Sequence, residues 1–235
     1  MHEKSRRNVF WWRPDMVDGA EFSENDIPMC PTTAKDLPTM IVTYKEAKEI
    51  YRCRLRNGRE IFRHFAYVCF YEDDYDFDSS KGIWFPGDQD CKILKCFQGV
   101  ITPDFSTYQD FPDPYKRLNT YRMRAFGYWY GTLCGGSVIN NVRWGTPETY
   151  EYCFDGIPKN SIVAIGTVGG SPRKLADRSR FENGLAEMIK RLSPHTILVY
   201  GSANYKCFNE LEKRGIRVID FPSKTSRAFG RRPKR

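Results

Sequence analysis

The sequence lacks the features that define several large classes of protein. No apolar stretch among its 235 residues approaches the roughly 20 residues of a membrane-spanning helix. The N-terminus has no apolar signal core. Eight cysteines are present without a CxxC pair, so we expect reduced and mostly buried thiols rather than a structural zinc site. These features predict a soluble, cytoplasmic protein.

Histidine is scarce as well. The three histidines, His2, His64 and His195, lie in the N-terminal segment or before predicted strands, and none follows a strand. Four aspartates within residues 73–78 resemble the start of a calcium loop, but the glycine and closing glutamate of that loop are missing. We therefore expect no metal and no cofactor, and we interpret the aspartates as a solvated acidic loop.

The net charge of +8 is concentrated at the two ends of the chain. Residues 224–235 contain six cationic residues and no acid, and residues 1–7 contribute a further net charge of +2. The body between these ends is formally neutral. Basic ends commonly bind nucleic-acid phosphates through counterion release, and the alternative is a tail that serves solubility.

Short β-branched or apolar runs alternate with helical patterns, which predicts a parallel α/β sheet. The predicted strands are Met40–Tyr44, Phe65–Tyr71, Gly99–Thr102, Val138–Val142, Ile162–Gly166, Ile197–Tyr200 and Arg217–Phe221. The predicted helices are Lys45–Arg56, Cys91–Phe97, Pro114–Gly131, Thr146–Phe154, Arg178–Leu192 and Tyr205–Arg214. We expect an N-terminal arm (residues 1–38), one α/β domain (39–223) and a flexible basic tail (224–235).

Polar or glycine-bearing tips follow most of the strands, which favours a (β/α) barrel or incomplete barrel. The alternative is an open, doubly wound, three-layer sheet, in which only strands beside the switch point need functional tips. In either case the carboxyl ends of parallel strands form one rim, and ligands bind there. The sequence therefore predicts the place of a site more clearly than its chemistry.

Asp104 is the candidate catalytic residue. It directly follows a strand, so its carboxylate is expected to project into the rim as a nucleophile, general base or metal ligand. The alternative is an N-cap for a following helix.

Asn141, Arg143 and Trp144 form a second constellation. An arginine with an amide suits recognition of a phosphate or a base edge, and a tryptophan can stack on a base. The alternative for Arg143 is an ion pair with the acidic loop.

Two glycine-bearing tips are weaker candidates. Residues 166–171, which include Thr167, precede the basic pair Arg173 and Lys174 and resemble a phosphate cradle, although a plain turn is the alternative. Gly201 and Ser202 allow close approach of a ligand, but they lack the glycines of a nucleophile elbow.

The helix over residues 121–130 interleaves basic and aromatic residues, as surfaces for flipped bases and single strands do. Core packing accounts for most of these residues. We expect Arg122 and Arg124 to face a ligand and include Tyr128 among the candidate substrate contacts.

Five strings of the sequence resemble DUF4417, an uncharacterised family of bacteria and their phages. The strings are residues 102–106 (TPDFS), 119–129 (NTYRxRAxGYW), 141–145 (NVRWG), 153–158 (CFDGIP) and 200–202 (YGS). The resemblance covers most of residues 11–223. It implies a role in phage or mobile-element biology, or in defence against phage, and no particular mechanism.

These residues favour an enzyme that acts on nucleic acid, with DNA as the expected partner. Our leading hypothesis is a base N-glycosylase, for base excision or exchange, in which Asp104 stabilises or attacks the sugar. Asn141 and Trp144 would hold an extruded base. The predicted phosphate contacts are Arg122, Arg143, Arg173, Lys174, Lys224, Arg227, Arg231 and Arg232.

Three alternatives remain open. One is a non-catalytic DNA-binding factor of replication, partition or defence evasion. Another is a metal-dependent nuclease that uses Asp104 with the acidic loop. The last is an enzyme that binds a small nucleotide.

Overall fold

The computed structural model describes residues 12–58, 64–79, 82–168 and 175–230, in which strands alternate with helices. The strands are β1 (Met40–Thr43), β2 (His64–Cys69), β3 (Phe97–Ile101), β4 (Val138–Asn141), β5 (Ile162–Gly166), β6 (Thr196–Tyr200) and β7 (Arg217–Phe221). The α-helices are α1 (Tyr44–Arg56), α2 (Asp74–Phe77), α3 (Asp88–Lys95), α4 (Asp113–Tyr128), α5 (Leu175–Leu192), α6 (Lys206–Lys213) and α7 (Lys224–Ala228).

All neighbouring strands pair in parallel, and their order in the sheet is their order in the chain. A doubly wound sheet reverses its strand order at a switch point. No reversal occurs among the strands of the described ranges, so the open-sheet alternative is wrong. The sheet curls into a half-barrel, which confirms the predicted incomplete barrel.

Alternation of side chains along each strand gives the sheet two apolar faces. One face carries residues from all seven strands packed against one another, including Ile41, Tyr67 and Leu198, and forms the inside of the curl. The other face packs against the helices, as Phe126 of α4 and Leu185 of α5 do in two separate clusters. Both faces are therefore buried, which is why the strands read as continuous apolar runs.

The predicted helices and strands lie close to the observed ones, with two differences. Residues 146–154, predicted as an α-helix, contain a 3-10 turn at Pro147–Glu151. The acidic loop contains a helical turn, α2, that composition alone does not indicate.

The N-terminal segment differs from the predicted arm. Met16 and Ile27 are almost completely buried in the two helix-side clusters. The backbone N–H of Cys30 donates to Gly156 O at 2.7 Å. Residues 16–38 are thus part of the packed body, while Trp11 and the residues before it lie outside the described ranges.

The C-terminal segment differs from the predicted flexible tail in its first residues. The side chain of Ser223 caps α7 by accepting a hydrogen bond from Ser226 N. Arg227 donates to both carboxylate oxygens of Glu46 at 2.7 Å and to Ile41 O at 2.9 Å. Helix α7 therefore links the edge strand β7 to β1 and α1, on the open side of the curl. Arg231 and Arg232 lie outside the described residues.

All eight cysteines are free thiols, and three of them, Cys30, Cys69 and Cys153, are buried. Burial raises the pKa of Cys30 and of Cys153 to about 12, which removes the reactive thiolate at neutral pH. Cys53 and Cys134 are exposed.

We expect iodoacetamide to label Cys53 and Cys134 first in the native protein, as peptide mass spectrometry would measure. Early labelling of a buried thiol would contradict this packing.

Candidate functional site

A cavity of about 600 Å³ lies at the carboxyl ends of the strands. Every strand contributes a residue at or just beyond its end: Thr43, Tyr71, Asp104, Val142, Gly166, Tyr200 and Ser223. The cavity therefore occupies the rim that the strand tips predict.

Asp104 lies in this cavity with its carboxylate held from two sides. Asn141 Nδ2 donates to Oδ1 at 2.8 Å, and Arg143 Nη1 donates to Oδ2 at 2.5 Å. The Asp104 side chain keeps 11% of its surface exposed. Its orientation is thus fixed while one part of it stays open to a ligand. The N-cap alternative receives no support, because residues 102–108 contain no helix.

Arg143 is held by charge. Burial alone would lower the pKa of its guanidinium, but the Asp104 carboxylate, with Asp74 nearby, raises that pKa above its ordinary value. The Arg143 side chain is 25% exposed and lines the cavity, so it remains within reach of a ligand. The ion pair of Arg143 is with Asp104 rather than with the acidic loop, although Asp74 of that loop is close enough to act on its charge.

Asn141 is fully buried and both ends of its amide are engaged. Its Nδ2 faces Asp104, and its Oδ1 accepts a hydrogen bond from the Tyr71 hydroxyl at 2.8 Å. The predicted contact of Asn141 with an extruded base differs from this geometry, because the side chain holds Asp104 instead.

Tyr71 and Tyr200 form part of the cavity wall. Their rings stack at 5.2 Å between centroids, with 16° between the planes. The hydroxyl of Tyr200 accepts a hydrogen bond from the backbone N–H of Lys224 at 3.0 Å. This bond ties the start of α7 to the cavity wall.

Trp144 lines the cavity and packs against neighbouring aromatic side chains. Its ring lies 5.4 Å from that of Phe181 and 6.4 Å from that of Phe154. A Cβ added to Gly184 would meet its indole at 2.1 Å. Trp144 is thus a fixed wall of the cavity.

The carboxylates of the acidic loop, residues 73–78, contact different partners. Asp74 accepts from Ser106 Oγ at 2.8 Å and from Ser106 N at 3.0 Å; burial raises its pKa, and these bonds oppose that shift. Asp76 pairs with Lys45 at 2.9 Å, and Asp78 turns away to pair with Arg122. Among residues 12–58, 64–79, 82–168 and 175–230, no three His, Cys, Asp or Glu side chains converge as metal ligands would.

Arg122, Arg124 and Tyr128 do not line the cavity. Arg122 is buried, and its Nη1 donates to Asp78 at 2.9 Å. The Tyr128 hydroxyl donates to Asp18 O at 3.1 Å, at the N-terminal segment. The expected contacts of these residues with a ligand differ from this geometry, because α4 buries Arg122 and Arg124 against the body.

Arg124 is the most deeply buried of these α4 residues. It is 0% exposed and donates to Asn141 O and Asp155 O at 3.0 Å and to Cys153 O at 3.1 Å. Burial lowers the pKa of its guanidinium to about 10. The side chain ties the end of β4, which carries Asn141, to the turn at residues 153–155.

Thr167, Gly201 and Ser202 join two rim loops to each other. Ser202 N donates to Thr167 Oγ1 at 2.9 Å, and Gly201 has φ of 125°. A Cβ at Gly201 would meet Thr167 Oγ1 at 2.3 Å. These residues shape the rim without lining the cavity. Arg173 and Lys174 lie outside the described residues.

Of the four predicted phosphate contacts at the C-terminus, the two in the described residues have different surroundings. Lys224 lines the cavity, whereas Arg227 is engaged by Glu46 and two backbone carbonyls. The predicted contact of Arg227 with a nucleic-acid phosphate differs from this geometry.

Acids outnumber cations in the cavity lining. The acidic lining residues are Glu72, Asp73, Asp74, Asp76, Asp104 and Asp177, and the basic ones are Lys45, Arg143, Arg180 and Lys224. The lining therefore carries a net negative formal charge and favours positive charge in the cavity.

Sequence reasoning missed Tyr71 and the α5 residues Arg180 and Phe181, all of which line the cavity. The sequence does indicate Tyr71, because it is the last residue of a buried apolar run and therefore lies at the same rim as the other strand ends. Arg180 and Phe181 lie within a helix, and no local pattern distinguishes residues that face the rim.

The fold and this rim cavity define an α/β incomplete-barrel protein with an aspartate-centred site. The chain belongs to the family described as "Domain of unknown function (DUF4417)", whose model matches residues 21–222. It is 35% identical over 137 residues to the "Gene 1 protein" of Mycobacterium phage D29, covering 58% of this chain and 48% of that protein.

A second relative is the "Gene 1 protein" of Mycobacterium phage L5, at 36% identity over 137 residues, covering 58% of this chain and 57% of that protein. The chain thus spans about half the length of these curated relatives. No solved structure matches the chain. In the described residues, no helix is long and apolar enough to cross a membrane.

We expect Arg124→Met to lower the free energy of unfolding by about 3 kcal/mol, because three buried carbonyls lose their donor. Urea denaturation measures this. The matched control is Arg56→Met on the exposed end of α1, which should change stability by less than about 0.5 kcal/mol. Equal effects of the two substitutions would contradict the role assigned to Arg124.

Proposed function

We propose that the protein is a nucleic-acid base N-glycosylase in which Asp104 stabilises the sugar as the glycosidic bond breaks. The observation that carries this proposal is the Asp104 carboxylate, fixed by Asn141 and Arg143 and open to a cavity at the rim. In the reaction the C1′–N bond breaks, and its electron pair leaves on the base, which takes up a proton. Water adds to C1′ and loses a proton.

The charge of the cavity supports this chemistry. Positive charge develops on the sugar in an oxocarbenium-like transition state, and preorganised negative charge stabilises it. The lining carries two more acids than cations. A reaction that accumulates negative charge at the same place would be disfavoured.

The size and walls of the cavity support a single extruded nucleotide as the ligand. A volume of about 600 Å³ is within the range of small-molecule sites. Trp144, Phe181 and the stacked pair Tyr71 and Tyr200 supply aromatic surface, which flipped bases use for stacking. Arg180 and Lys224 are cations in the lining that can contact flanking phosphates.

The similarity to phage proteins supports DNA as the substrate class. The two relatives are gene 1 proteins of mycobacteriophages. Modified and unmodified DNA are therefore both tested as substrates.

The test is base release from DNA. Purified protein is incubated in EDTA with unmodified and phage-modified oligonucleotides, single- and double-stranded, and then treated with alkali to break abasic sites. We expect alkali-dependent breaks that fall by at least about 100-fold in Asp104→Asn, because the neutral amide cannot stabilise the developing charge.

The matched control is Asp110→Asn, an exposed aspartate of the same loop that does not line the cavity. It should retain full activity. The proposal is wrong if the wild-type protein produces no breaks on any DNA, or if Asp104→Asn and Asp110→Asn behave alike.

A shorter chain separates catalysis from binding by the tail. Lys224 lines the cavity and Arg227 anchors α7, so a deletion that starts at Lys224 would damage the site itself. A chain ending at Gly230 instead removes only Arg231, Arg232, Pro233, Lys234 and Arg235.

We expect the chain ending at Gly230 to keep its base release on short oligonucleotides. Its affinity for long DNA should fall, with a shallower salt dependence, because the removed cations no longer release counterions. Fluorescence anisotropy at several salt concentrations measures this. If that truncation abolishes function while Asp104→Asn preserves it, the protein is a binding factor.

A further inference from the structure

The hydroxyl of Tyr71 lies at the end of a hydrogen-bonded row that leads to Asp104. It donates to Asn141 Oδ1 at 2.8 Å, and Asn141 Nδ2 donates to Asp104 Oδ1 at 2.8 Å. Asn141 is fully buried and Tyr71 is 7% exposed. Asp104 and Tyr71 both line the cavity, and the amide of Asn141 that joins them is enclosed by the protein.

The direction of each bond in the row follows from the chemistry of its members. An ionised carboxylate only accepts hydrogen bonds, so the NH₂ end of Asn141 must face Asp104. The carbonyl end then faces Tyr71, which must donate. A side-chain amide turned by 180° would direct Oδ1 at the carboxylate, and two acceptors would meet without a proton between them. Tyr71 is the donor that favours this orientation, and Pro103 O supports it by accepting a longer bond from Asn141 Nδ2 at 3.4 Å.

The protein holds Tyr71 in place as a donor. Its ring stacks on Tyr200, and a Cβ at Gly166 would lie 2.8 Å from the ring, so only glycine leaves the required space there. Burial, and after it the charge of Asp104, raises the pKa of Tyr71 well above its ordinary value. The phenol therefore keeps its proton throughout the neutral range.

We propose that Tyr71 is a positioning residue, which acts through the amide of Asn141 to hold the Asp104 carboxylate in one orientation toward the cavity. Asn141 is the intermediate of this relay rather than a reader of the base. The proposal rests on the proposed function for its kinetic test, and on the hydrogen-bonded row alone for its spectroscopic test.

The kinetic test compares Tyr71→Phe with Tyr67→Phe. Both substitutions remove one tyrosine hydroxyl that is hydrogen-bonded to a side chain, but Tyr67 lies on β2 outside the cavity lining, and its hydroxyl bonds to Ser137 Oγ at 2.6 Å rather than to the relay. For base release, we expect Tyr71→Phe to lower kcat by about 10- to 100-fold with little change in KM, because a misplaced catalytic group affects turnover. Tyr67→Phe should leave kcat within about twofold of wild type. Equal losses in the two variants would overturn the proposal.

A double-mutant cycle tests whether Tyr71 acts through Asn141. Asn141→Leu removes the relay while keeping a side chain of similar size. Tyr71→Phe should then cause no further loss in the Asn141→Leu background, because coupled residues are not additive. Additive losses would overturn the relay.

The spectroscopic test needs no activity. In ¹⁵N-labelled protein, the Asn141 side-chain amide is identified as the signal that Asn141→Leu removes. We expect its hydrogen exchange to rise by about tenfold or more in Tyr71→Phe and to stay unchanged in Tyr67→Phe. Unchanged exchange in Tyr71→Phe would overturn the proposal. If wild-type protein releases no base, the proposed function fails, and the amide measurement alone decides the role of Tyr71.

Discussion

The ion pair between Asp104 and Arg143 is the interaction on which the site depends. It joins the loop after β3 to the residues that follow β4, two segments that the chain separates by a long helix. The pair is partly buried, with the Arg143 side chain 25% and the Asp104 side chain 11% exposed, so removing one partner leaves the other charge with little water to compensate it. Each residue therefore requires the other, and together they fix the centre of the cavity.

A second layer of polar contacts supports the loop that carries Asp104. Asn119 Nδ2 donates to Ser106 O at 2.6 Å, and Arg122 Nη1 donates to Asn119 Oδ1 at 3.0 Å. Ser106 in turn binds Asp74. Many polar residues of the five strings that resemble the family therefore have a structural role. They shape the loop after β3, and few of these side chains reach the cavity.

This division explains what the sequence could and could not predict. Periodicity located all seven strands and the rim, because burial on both faces of the sheet leaves a continuous apolar signature. It failed for Arg122 and Arg124, since basic residues on a helix suggest an exposed face unless their buried acceptors are known. The docking of α7 was equally invisible, because it depends on Glu46, far away in the chain.

The distribution of charge limits how a nucleic acid could bind. The body is formally neutral, the cavity lining is acidic in balance, and the excess cations lie in the chain ends. Phosphates would be repelled from the interior of such a cavity and attracted by the C-terminal residues beyond α7. A base and its sugar lack that charge. Under these constraints a polyanion would enter one nucleotide at a time, with its phosphates kept outside the acidic interior.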